Sequence, residues 1–134
     1  MTTQTATSPR LSPRFIYAAD TVVSGAMGVL LFLTAAPLTQ IVGWPLPASF
    51  LSTIGLLLLP WAAFNLYVAR AARPTHGVVF GNIGGDITWV LGSIALAVVH
   101  APSLTAIGMA LLIGQAIAVA GVVVIKLAGV RMML

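Results

Sequence analysis

The chain contains no cysteine. That absence removes disulfides, thiolate metal sites and cysteine nucleophiles together. Charge is scarce as well: 6% of its 134 residues are Asp, Glu, Lys or Arg, against roughly 25% in an average soluble domain. A soluble fold of this size needs a polar surface, and this composition cannot supply one. Acids are rarest of all, with Asp20 and Asp86 the two in the chain. No Walker loop, zinc-binding pattern, nucleophile elbow or paired acid/base signature of a hydrolase is present. The sequence therefore predicts no enzyme, and no cofactor or metal site.

What is there is apolar. Sixty per cent of residues are hydrophobic and the mean hydropathy is +1.10, so the solvent for most side chains is lipid. Four apolar stretches stand out, at about 15–36, 48–69, 77–99 and 103–125. Each has roughly 20 residues or slightly more, which at about 1.5 Å per residue crosses a hydrocarbon core of roughly 30 Å. Long apolar runs without two-residue alternation exclude a β-barrel. The expected fold is an all-α membrane protein, a four-transmembrane-helix up-down-up-down bundle. Pro60 predicts a kink in the second span, because it cannot donate to the Leu56 carbonyl. Residues 1–13 read as a disordered cytoplasmic tail rich in Thr, Ser and Pro. Pro37 to Pro47 reads as a turn-rich connection, with Trp44 at headgroup level.

The net charge of +4 raises nucleic acid as a partner, but the placement of the bases points to topology instead. Arg10, Arg14, Arg70, Arg73, Lys126 and Arg131 fall at the N-terminus, the second connection and the C-terminus, and the other two connections carry none. With four spans those basic segments share one side, which the positive-inside rule makes cytoplasmic. Both termini are then cytoplasmic.

Polar residues inside the spans demand partners: Asp20, Asn65, Asn82, Asp86, Thr88 and Gln115. An ionisable group in a membrane helix faces the bundle interior or water. At the helical rise, Asp20 lies roughly 8 Å and Asp86 roughly 13 Å into their spans. Asn65 and Asn82 fall near the same depth, so these four form one polar layer, with Gln115 nearer mid-membrane. Two readings follow. In one, Asp20 and Asp86 form a proton or cation site, with Asn65, Asn82 and Gln115 as co-ligands. In the plainer one, the same groups are interhelical hydrogen bonds, each contributing about 0.6 kcal/mol.

The third span carries more pattern. Asn82, Asp86, Trp89 and Ser93 share a face by their four, three, four spacing. Gly77, Gly81 and Gly85, continued by Gly92, form a small-residue stripe for close helix packing, inside the bundle or between subunits. Similar stripes run through Ser24 and Gly28 and through Ala110, Gly114 and Ala118. His76 and His100 flank this span roughly 36 Å apart, too far to share a haem or a metal within one copy of the chain, and each reads as a single interface histidine, with a haem between subunits as the alternative. Trp61 and Trp89 lie near mid-membrane, as packing residues or as contacts for an apolar ligand such as a lipid, quinone or pigment.

From about Arg14 onward the chain resembles a group of small uncharacterised bacterial four-helix integral membrane proteins. The resemblance lies in Asp20 with Gly25 and Gly28, in LLLLPWAAFNLYVAR (Leu56 to Arg70), in TWVLGS (Thr88 to Ser93), and in Gly108 to Ala116. It implies a bacterial inner-membrane location and brings no activity with it. It also implies an Asn at the position of Asp86, which argues against a titrating role there.

Three functional expectations result. The first is a non-enzymatic bundle acting as an oligomeric scaffold or an accessory subunit, with lipid, further copies or other membrane subunits as partners and no nucleic acid. The second is a small proton- or cation-linked transporter or channel centred on Asp86. The third is a lipid, quinone or pigment binder.

Overall fold

The structure, a computed structural model, describes residues 12–134, so most of the expected tail lies outside the described residues. Ser12 and Pro13, the tail's last two positions, instead open the first helix. Among the described residues there are six helices: α1 (Pro13–Leu33), α2 (Ala35–Val42), α3 (Ala48–Arg70), α4 (His76–His100), α5 (Ala106–Ala128) and α6 (Val130–Met133). Four of them, α1, α3, α4 and α5, are long and apolar enough to cross a membrane. Their outer faces are greasy: Leu33 is 73% and Val98 71% exposed. Burying such side chains in hydrocarbon is the physical reason for a multi-pass membrane reading.

Local chemistry sets the helix ends. The Ser12 side chain accepts from the Arg14 backbone N–H at 3.2 Å, and Pro13 occupies the first turn, where its missing N–H costs nothing. The expected first span stops three residues early. A proline ring clashes with the carbonyl four residues back, and for Pro37 that residue is Leu33. The chain breaks at Thr34 and restarts as α2, so half of the expected loop is helical. Gly43 closes α2 at φ 87°, the left-handed region that glycine enters freely. Thr75 and Thr105 cap α4 and α5, accepting from Val78 N at 3.2 Å and Gly108 N at 2.9 Å. The turn at His100 accepts from Ser103 N and Leu104 N, which delays α5 to Ala106 rather than Ser103. α3 continues through Pro60 without interruption.

α1 packs chiefly on α3, and α4 chiefly on α5. Polar contacts fasten the bundle at both ends. At one end, Arg14 donates from Nη1 to the Ala71 carbonyl and from Nη2 to Ala72 O at 3.0 Å, satisfying orphan carbonyls at the end of α3. At the other, Thr105 donates from Oγ1 to Ile41 O at 2.6 Å and from its backbone N to Val42 O at 3.0 Å. Trp44 sits at this second end. It is buried, edge-on to Phe50 and His100.

Candidate functional site

Four of the residues expected to share a polar layer do converge, around a fifth that sequence reasoning placed elsewhere. Lys126, on α5, turns inward, and its side chain is 0% exposed. Its Nζ lies 2.5 Å from Asp86 Oδ2, 2.7 Å from Asn82 Oδ1, 2.9 Å from Asp20 Oδ2 and 3.0 Å from Asn65 Oδ1. Each of the four long helices contributes. Asn82 and Asp86 are one turn apart on α4, so both aim at the same point.

The partners are themselves held. Ser24 Oγ donates to Asp20 Oδ1 at 2.8 Å, one turn along α1. Asn65 Nδ2 donates to Trp61 O at 3.1 Å, and Asn82 Nδ2 donates to Asn65 Oδ1 at 3.3 Å. The Tyr17 ring lies 4.8 Å from Lys126 Nζ and the Trp61 ring 6.0 Å away, both within cation–π reach. An ammonium has three N–H donors, and here it faces four oxygens. Two carboxyl groups face one ammonium, so the cluster is neutral with one acid protonated and carries −1 with both ionised.

Gln115 does not belong to this layer. Its Oε1 accepts from Trp89 Nε1 at 2.6 Å, and its Nε2 donates to Ser93 Oγ and to Leu112 O, each at 2.8 Å. Gln115 lies about three turns before Lys126 on α5, far enough along the axis to serve a separate level. Trp61 and Trp89 also part company. Trp61 packs over Gly85 and edge-on to Phe64, while Trp89 lines an apolar cavity. Thr88 bonds its own helix, donating to Gly84 O at 2.9 Å.

The glycine stripe of α4 splits in the same way. Of the expected packing positions only Gly85 meets another helix, beneath Trp61. A Cβ at Gly81 or Gly92 would meet nothing within 4 Å, and one at Gly77 only its own Thr75. Those three face away from the rest of the chain. His76 and His100 occupy the two ends of α4. Among the described residues no group of three or more His, Cys, Asp or Glu is placed to hold a metal ion.

Lys126 was missed because a base at the end of an apolar run reads as a flanking anchor. The signal was nevertheless present. The run continues past it through Leu127 and Ala128, and two acids within the spans call for a cation, which a base able to reach inward can bring.

Together these features define an all-helical multi-pass membrane protein with an ion-paired core. Comparison with protein families, curated proteins and solved structures finds no match.

Proposed function

We propose that the chain is a non-enzymatic membrane bundle that self-associates, as an oligomeric scaffold or as an accessory subunit of a larger membrane assembly. Its helices run up-down-up-down in a bacterial inner membrane, with both termini in the cytoplasm. Three contacts support that topology. Arg14 reaches the end of α3, Lys126 near the end of α5 reaches Asp20 near the start of α1, and the end of α2 is bonded to Thr105 at the start of α5. Arg14, Arg70, Arg73 and Arg131 then share the cytoplasmic end.

The observation that carries the reading is the outer face of α4. Gly77, Gly81, Gly84, Thr88 and Gly92 follow each other at spacings of three and four, and a Cβ at Gly81, Gly84 or Gly92 would touch nothing within 4 Å. Small residues facing lipid gain little burial and lower helix propensity. Against a second helix they permit close backbone approach. The intramembrane polar groups, by contrast, are consumed inside the chain.

The absence of native cysteine makes the test clean. Gly84→Cys is expected to form a disulfide-linked dimer in membranes under mild oxidant, whereas Ile117→Cys, on the lipid-facing side of α5, is not. Gly81→Leu is expected to reduce the oligomer mass measured in mild detergent. A lone monomer with no co-purifying subunit, and no cross-link at position 84, would defeat the reading.

One observation favours a second reading, a proton or cation site. The core sets two carboxyl groups against one ammonium, and Asp20 keeps 13% of its side chain exposed. On this reading Asp86→Asn abolishes pH-driven cation flux into proteoliposomes. Unchanged flux in that variant removes Asp86 from any transport step.

A further inference from the structure

Between the polar core and the Trp44 end lies a cavity of about 330 Å³. It is roughly twice the size of an engineered apolar cavity of about 150 Å³ that binds benzene. Helices α1 to α5 all line it. Its most exposed lining residues are Met27 and Leu30 on α1 and Leu111 on α5, at 41%, 52% and 49%. The mouth therefore opens between α1 and α5, on the surface that meets hydrocarbon.

The deep wall is carbon despite holding Trp89, Ser93 and Gln115. The indole N–H of Trp89 and both ends of the Gln115 amide are spent on one another, on Ser93 Oγ and on Leu112 O. Water needs two to four polar partners to occupy such a space. A quinone ring against this deep wall would bury carbonyls where the Trp89 and Gln115 donors are already spent. A hydrocarbon chain leaves nothing unsatisfied. One donor remains at the cavity's Trp44 end, where the buried indole Nε1 has no partner.

We propose that this cleft holds an acyl chain of a membrane phospholipid, entering sideways between α1 and α5, with its ester end toward Trp44. The site is a lipid-tail seat built into the chain and does not depend on self-association.

The test begins with protein extracted in mild detergent and examined by native mass spectrometry. A phospholipid mass is expected to stay with the wild-type chain. Ile54→Phe combined with Leu112→Phe fills the cleft. The double variant should lower the lipid-bound fraction by about tenfold or more, with helix content and unfolding midpoint maintained. A second readout uses phosphatidylglycerol with brominated acyl chains. Titrated into detergent-solubilised protein, it should quench tryptophan fluorescence to saturation in the wild type and not in the filled variant. Absence of bound lipid together with quenching that merely tracks bulk lipid content would overturn the proposal. So would equal retention by the filled variant, or a retained molecule with quinone or pigment absorbance. If the filled variant does not fold, the wild-type titration decides alone: saturation supports the seat and a linear rise refutes it.

Discussion

Lys126→Met is expected to destabilise the bundle by about 3–5 kcal/mol, the usual cost of removing one partner from a buried ion pair. Asp20 and Asp86 would then sit among helices without the Nζ that now lies 2.9 Å and 2.5 Å from their oxygens. Neutral interhelical hydrogen bonds contribute only about 0.6 kcal/mol each, so the size of the loss distinguishes ionic pairing from ordinary hydrogen bonding. Adding Asp20→Asn and Asp86→Asn to Lys126→Met should restore most of the stability, since a buried pair replaced as a whole is often neutral or stabilising. Denaturant titration in detergent, followed by circular dichroism, measures all of these variants. If the single variant unfolds like the wild type, the ammonium is not what holds the core.

The second large effect is steric. Where α1 crosses α3, Gly28 and Gly55 face each other. A Cβ on Gly28 would lie 2.7 Å from the Gly55 carbonyl oxygen and 3.1 Å from Leu58 Cβ. A Cβ on Gly55 would lie 2.6 Å from the Gly28 carbonyl oxygen. Backbone cannot yield as a flexible side chain does, so Gly28→Ala is expected to cost about 1–3 kcal/mol, the range for overpacking. Gly121→Ala is the contrast, because its Cβ meets nothing within 4 Å. It should be neutral, or gain up to about 1 kcal/mol from helix propensity. Equal losses at both positions in the same unfolding assay would contradict the packing of α1 on α3.

The spans were legible because lipid imposes a composition that few other environments tolerate. The polar layer was legible because depth follows from the constant rise of a helix, which placed Asp20, Asn65, Asn82 and Asp86 near one level. Rotation about each helix axis was not. Gln115 lies on the expected helix but serves Trp89 and Ser93, and the glycines of α4 point mostly outward where some inward contact was expected. Spacing says which residues share a face, and only the neighbouring helices decide what that face meets. Lys126 was misread for a related reason. A long amine at a span's end can reach either the headgroups or the interior, and the choice depends on whether acids wait inside. The break at Thr34 was recoverable from Pro37, whose ring acts on the residue four positions earlier.

The position of Lys126 in the order of synthesis has a consequence for biogenesis. The helices carrying both acids leave the ribosome first, and the base that neutralises them arrives only with the last long helix. A nascent chain holding three helices thus leaves two acids in the bilayer with no counter-charge, a species the membrane tolerates poorly. Insertion of α5 ends that state, so the last of the four long helices also supplies the charge that closes the polar core.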